Sequence, residues 1–204
     1  CALPISPPRG SWVDAAQAGA LAVGFAWHAG RATVTLLGPD GSGVSAADVA
    51  IDGAAASPCG SGCYAGPAAR HATVQVGAAT VHFDVPATLR PAAAALARAR
   101  RLYESAPAVT IAERLSSGPG NLVVTRAHER APDRIAYRII SSTAPGVAGT
   151  RAIVIGTRRW QRTGSTPWRL SRQAALHVPR AAWSGSARNA FFLPDGGLTF
   201  YDPD

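Results

Sequence analysis

Residues 71–85, HATVQVGAATVHFDV, decide the fold class of this chain. On both sides of Gly77, apolar side chains alternate with polar ones, which is the pattern of two short strands that each bury one face. The predicted inward set is Val74, Val76, Val81, Phe83 and Val85. Residues 21–36 alternate in the same way and lead into Pro39-Asp40-Gly41-Ser42-Gly43, a sequence typical of a tight turn. Short strands at this spacing predict an immunoglobulin-like β-sandwich.

The composition favours a β-rich molecule with many turns. The chain has 204 residues and 47% hydrophobic content, enough for one large core or two small ones, and it contains 21 glycines and 16 prolines. All 20 basic residues are arginine, and with 12 acidic residues the net charge is +8. Arginine without lysine in an alanine-rich chain is typical of a GC-rich genome. We therefore expect no nucleic-acid partner behind the charge.

The sequence changes character after Pro86. Leu89, Leu96 and Tyr103 recur at helical spacing, and a series of alternating segments follows them. We therefore predict a mainly β (α+β) chain in three parts. They are a proline-containing linker or arm over residues 1–17, the sandwich over residues 18–86, and a helix with an antiparallel sheet over residues 87–204.

The segment Pro58-Cys59-Gly60-Ser61-Gly62-Cys63-Tyr64 carries the clearest chemistry in the sequence. Two cysteines separated by a glycine-rich turn can close a small disulfide, which is the interpretation we favour. The alternative is a thiolate pair that binds Cu(I) or cycles between oxidation states. In that case His28, His71 and His82 are the candidate further ligands, since sandwich topology could bring two of them near the cysteines.

Cys1 indicates where the protein acts. A cysteine at the start of a chain is what lipoprotein processing leaves, so Cys1 is a candidate lipid anchor, although it could equally be an arbitrary boundary. The paired Cys59 and Cys63 independently favour an oxidising compartment. We expect an extracytoplasmic, membrane-tethered protein. No segment approaches the ~20 consecutive apolar residues of a membrane span.

Two parts of the chain resemble known families. The cysteine segment, together with Gly38-Pro39-Asp40-Gly41 and Phe83-Asp84-Val85-Pro86, resembles the extracytoplasmic C-terminal region of actinobacterial copper-resistance D-type membrane proteins. The segments 113–120, 131–137 and 153–160 are similar to lipoprotein-carrier-like half-barrels, in which a curved antiparallel sheet wraps a helix. The resemblance implies that residues 87–204 form such a half-barrel.

The resemblance implies a non-enzymatic binding or interaction module associated with a copper-transport or copper-resistance membrane protein. Its implied partners are the membrane part of the parent protein or a membrane surface, with a copper ion or a lipid as ligand. The motif search agrees, because the sequence contains no nucleophile elbow, His-Glu-x-x-His helix, Walker loop or dinucleotide fingerprint. We assign no catalytic residue and no obligatory cofactor.

The alternative function is a half-barrel that binds a lipid or another apolar ligand. Its cavity would lie between helix and sheet, and the candidate lining residues are Trp160, Trp168, Trp183, Leu96 and Tyr103. Packing of the same aromatic side chains as core needs no ligand and is the interpretation we favour. The arginine clusters Arg98-Ala99-Arg100-Arg101 and Arg158-Arg159 could meet anionic headgroups, or they are simply solvated.

Overall fold

The computed structural model describes residues 6–116, 120–183 and 185–202. It confirms the predicted mainly β class with one helix. In chain order the elements are β1 (Trp12–Ala18), β2 (Leu21–His28), β3 (Arg31–Leu37), β4 (Val49–Ile51), β5 (Ala54–Ala55), β6 (Ser57–Gly60), β7 (Cys63–Pro67), β8 (His71–Val76), β9 (Ala79–Asp84), α1 (Ala93–Ser105), β10 (Ala108–Ser116), β11 (Leu122–Arg130), β12 (Arg134–Ser142), β13 (Thr150–Ile155), β14 (Arg158–Thr163), β15 (Arg169–Arg172), β16 (Arg188–Phe192) and β17 (Leu198–Tyr201).

The chain folds into two compact units. One contains Cys1–Ala97 and Trp183–Asp204, and the other contains Arg98–Ala182. The first unit has a five-stranded sheet in the order β1-β2-β3-β7-β6, a four-stranded sheet in the order β5-β4-β8-β9, and the hairpin β16-β17. The second unit has a six-stranded sheet in which β10 to β15 follow one another in chain order. All the strand pairs are antiparallel.

The core of the first unit joins its two sheets. Phe25 from β2 stacks on Phe83 from β9, with ring centroids 4.4 Å apart and planes inclined by 5°. The alternation in residues 71–85 works as predicted, and every member of the inward set is buried. Large aromatic side chains contribute more buried apolar area than any others, so this stack is central to the stability of the unit.

The expected linker over residues 1–17 is wrong for its second half. Trp12–Ala18 form the edge strand β1, which pairs with β2 along its whole length. Trp12 is 1% exposed and meets Phe25 edge-on at 6.4 Å. The prolines indicated an extended arm, but the apolar Trp12 and Val13 give this segment enough surface to bury.

The expected single domain over residues 87–204 also differs from the structure, because the C-terminal hairpin belongs to the first unit. The Thr199 hydroxyl donates to the carbonyl of Val13. The amide of Gly10 donates to the Asn189 side chain at 3.0 Å. Phe191 is part of the same buried cluster as Phe25. The two hydrogen bonds join residues more than 170 positions apart, and sequence periodicity carries no information about them.

The helix α1 buries Leu96 in a second, smaller cluster of the first unit. Leu96 packs there with Ala92 and Ala190, and Trp183 and Phe200 lie against this cluster. The amide of Ala92 donates to the carbonyl of Ala190 at 2.8 Å, which ties the start of the helix to the C-terminal hairpin. The predicted helical stripe is therefore correct at Leu96.

The cysteine loop is closed by a disulfide, as predicted. Cys59 on β6 and Cys63 on β7 are bonded, with their Cα atoms 5.0 Å apart. Gly62, at φ +66°, lies against the neighbouring loop, where its amide donates a hydrogen bond to the Ser45 hydroxyl oxygen at 3.2 Å. A Cβ at Gly62 would stand 2.5 Å from the carbonyl oxygen of Leu36 and 2.7 Å from Gly43 Cα. Only glycine fits this close backbone approach.

Gly62→Ala should therefore destabilise the first unit by more than the ~1–2 kcal/mol that a left-handed backbone alone costs an L-residue. Chemical denaturation monitored by tryptophan fluorescence measures the loss. Gly41→Ala is the matched control, because Gly41 also has a positive φ (+77°) but its Cβ would meet nothing within 4 Å. Equal losses for the two variants would contradict the close-approach argument.

Leu96→Ala should cost ~2–5 kcal/mol of unfolding free energy, because it leaves a cavity in the second cluster. Leu102→Ala on the same helix is the control, since Leu102 is 60% exposed and Leu96 is 6% exposed. Denaturant titration of both variants checks the difference. A loss below ~1 kcal/mol for Leu96→Ala would show that the cluster is not packed as described.

Candidate functional site

The outward face of the second unit carries two rows of arginines. Short connections set the register: residues 131–133 place Arg130 opposite Arg134, and Gly156-Thr157 place Ile155 opposite Arg158. Opposed residues of paired strands share one face. One row is Arg126, Arg138, Arg151 and Arg162, and the other is Arg130, Arg134, Arg158 and Arg172, with Ile155 inside the second row. We call the outward surface of the sheet that carries these eight arginines, four from each row, the arginine face.

An apolar strip runs between the two rows. Ile153 lies opposite Trp160, and Trp160 lies opposite Leu170. Ile153 is 41% exposed and Leu170 is 62% exposed. The arginine face therefore presents apolar and cationic groups together, which is unusual for a solvated surface.

The charges of the arginine face are not compensated within the described part of the chain. The ion pairs there are His71 with Asp84 and Arg100 with Glu104, and neither includes a residue of this face. Like charges directly opposite each other destabilise a sheet, so the arrangement carries a cost in stability. That cost falls when an anionic partner covers the face.

A groove of about 580 Å³ opens on this face. Arg126, Arg138 and Arg151 lie along it, with Ile153 and Trp168 also in its lining. The Trp168 ring is 42% exposed and lies 4.9 Å below the Arg162 guanidinium, so a cation–π contact holds it at the groove.

The inward face of the same sheet carries a buried carboxyl group. Glu129 lies opposite Val109 on one side and Ile135 on the other, and it is 8% exposed. Burial raises the pKa of Glu129, and a hydrogen bond from Tyr103 opposes that shift in part. Burial and the neighbouring Glu129 charge raise the pKa of Tyr103. The second oxygen of Glu129, Oε2, has no hydrogen-bond partner in the described residues.

The structure does not bring the predicted copper ligands together, and this finding corrects the prediction of a copper site. The sulfurs of Cys59 and Cys63 are bonded to each other and offer no thiolate. His71 Nδ1 is 2.7 Å from Asp84 Oδ1, and His82 Nδ1 is 3.3 Å from the Thr73 hydroxyl, while His28 is exposed at the end of β2. No group of three or more His, Cys, Asp or Glu able to hold a metal occurs over 6–116, 120–183 and 185–202.

The predicted ligand-cavity set is divided by the structure. Leu96 and Trp183 pack in the second cluster of the first unit, whereas Trp160, Trp168 and Tyr103 belong to the second unit. Within the second unit, Trp160 and Trp168 lie on the arginine face, and Tyr103 is hydrogen-bonded to Glu129. The alternation of β14 puts Trp160 on the outward face with Arg158 and Arg162. Cys1, the candidate anchor, lies outside the described residues.

Sequence reasoning missed both features of the second unit, although each left a signal. Arginines four apart in the sequence, such as Arg126 with Arg130 and Arg134 with Arg138, fall on one face of a strand by period two. Glu129 shares its strand face with Ala127, which alternation would place inward. The lateral alignment of rows on neighbouring strands depends on register, which turn residues alone do not fix.

Glu129 should make stability depend on pH in the acid range. Its carboxyl binds a proton more tightly in the folded state than in the unfolded state, where the pKa is about 4.5. The stabilisation present below that value is therefore lost as the pH rises through the raised pKa. Thermal unfolding at a series of pH values should show this loss, and Glu129→Gln should flatten that part of the profile. Glu113→Gln, an exposed change in β10, should leave it unaltered.

No helix within the described residues is long and apolar enough to cross a membrane. Comparison with known proteins gives no relatives: no family model, no curated protein and no solved structure matches this chain.

Proposed function

We propose that the chain is a binding module that docks onto membranes containing anionic lipids through the arginine face. The observation that carries this proposal is the pair of arginine rows flanking an apolar strip on one exposed sheet face. The partner suited to such a face presents negative charge and an apolar layer side by side. A membrane surface offers both.

The charge argument depends on spacing. Neighbouring strands lie about 4.8 Å apart, so each row concentrates its guanidinium groups along a narrow line of positive charge. Each arginine near an anionic leaflet contributes about 1 kcal/mol of binding free energy. Arginine also forms bidentate hydrogen bonds with phosphate oxygens, which a lysine cannot match.

The apolar strip favours a membrane over a nucleic acid. Ile153 and Leu170 have no flat π surface on which a base could stack, but they can enter the boundary between headgroups and acyl chains. Trp160 and Trp168 suit the same depth, because tryptophan concentrates at membrane interfaces. Long arginine side chains can lay their methylenes along the strip while their guanidinium groups stay with the phosphates.

The proposed setting is extracytoplasmic and next to a copper-handling membrane protein. The support for this setting is the sequence resemblance around Cys59 and Cys63, together with a disulfide of the kind that persists in oxidising compartments. Because both sulfurs are in that disulfide, the proposal gives the cysteines a structural role and assigns the protein no copper site of its own.

Vesicle co-sedimentation tests the docking face. Replacing Arg126, Arg138 and Arg151 by Gln should weaken binding to vesicles containing anionic phosphatidylglycerol by about 3 kcal/mol, on the order of a hundredfold. Binding should also weaken with rising salt and be absent on purely zwitterionic vesicles.

The matched control replaces Arg31, Arg98 and Arg101 by Gln, which removes the same charge elsewhere. This variant should keep most of the affinity. Equal losses in the two triple variants would show that only net charge matters, and the proposed face would be wrong. Tight binding of an oligonucleotide through this face without vesicle binding would replace the membrane by a nucleic acid.

A further inference from the structure

The inward face of the second unit's sheet contains a groove separate from the arginine face. It has a volume of about 370 Å³ and lies along β10, β11 and β12. Its walls are largely apolar, with Ile111, Ala127, Ile135 and Ile139 among the lining residues. From Glu129 to Thr125, both in the lining, the strand advances about 13 Å, which gives the groove the length of a short alkyl chain.

A carboxyl group at one end of an apolar groove defines the chemistry of a ligand. Glu129 is buried, with 8% of its surface exposed, and its Oε2 lacks a hydrogen-bond partner in the described residues. A buried acceptor without a partner lowers the stability of the folded state, so a ligand that donates to it recovers that loss. A cationic donor gains more, because a charge-assisted hydrogen bond is about twice as strong as a neutral one.

The groups around Glu129 favour a cation over an anion. Tyr103 from α1 already bonds to the carboxyl, and Val109 and Ile135 flank it on the neighbouring strands. The other charged residue of the lining is Glu113, which is also acidic. Arg159 on β14 lies in the same register row, two strands beyond Ile135, and its guanidinium donates to Tyr137 and Gln161.

We propose that this groove binds small amphiphilic amines, with the apolar body along β10–β12 and the ammonium group on the free oxygen of Glu129. The ligand class is a primary amine carrying one short alkyl or similar apolar chain. Docking of the arginine face on a membrane is not required for this binding.

Three probes with one apolar body test the inference on the whole chain: octylamine, octanol and octanoate. Isothermal titration should show octylamine binding most tightly and octanoate not binding. Glu129→Gln keeps the shape of the side chain and should weaken octylamine binding at least about tenfold, because it removes a hydrogen bond to a charged group. Glu104→Gln is the matched control: it removes an exposed carboxylate of α1 that pairs with Arg100 and lies outside the groove lining, so it should change the affinity less than about threefold.

Proton release supplies a second measurement that a purely structural role for Glu129 would not produce. The raised pKa of Glu129 means that the free protein holds a proton over part of the acid range, and the ammonium ligand must displace it. Octylamine binding should therefore strengthen as the pH rises through that range, and the apparent binding enthalpy should depend on the ionisation enthalpy of the buffer.

Three results would overturn the inference: no binding of octylamine, equal affinity for octylamine and octanoate, or unchanged octylamine binding in Glu129→Gln. If Glu129→Gln does not fold, the probe preference and the proton release of the unaltered protein still decide the question.

Discussion

Strand register is the constraint on which the second unit depends. Because successive residues of a strand point to opposite faces, a shift of one residue in any pairing would exchange the two faces of that strand. The observed register puts Arg126, Arg138 and Arg151 on the outward face and Glu129 and Tyr137 on the inward one. The same pairings thus produce a cationic surface on one side of a single sheet and a mostly apolar groove on the other.

The two faces of the sheet differ in how well their ionisable groups are solvated. Outside, most of the arginines are exposed, so repulsion between neighbouring rows is screened by solvent and salt. Inside, a charge on Glu129 would be poorly solvated, and the raised pKa of that carboxyl reflects the preference for its neutral form. Both arrangements cost stability in the isolated protein. Features that cost stability and are not needed for packing are good candidates for binding, which is the basis of the two proposals.

The first unit is organised around a different interaction, the stack of Phe25 on Phe83 between its sheets. The cysteine loop lies at the edge of that core: Cys63 is 1% exposed, and the Tyr64 hydroxyl donates to the carbonyl of Val44 at 2.9 Å. The disulfide and the Gly62 contact therefore hold a loop against a packed sheet. This role accounts for a glycine-rich cysteine motif without a metal.

The sequence by itself determined what is local. Period-two alternation identified the strands and the inward residues of 71–85, the Gly60-Ser61-Gly62 turn identified the disulfide, and the helical stripe identified Leu96 as buried. These follow from geometry within a few residues. Only the tertiary structure decided what is distant: the return of Phe191 to the first core, the separation of Trp183 from Trp160, and the alignment of the arginine rows. Such contacts depend on which strands pair and in which register, and many pairings of similar strands satisfy the same local pattern.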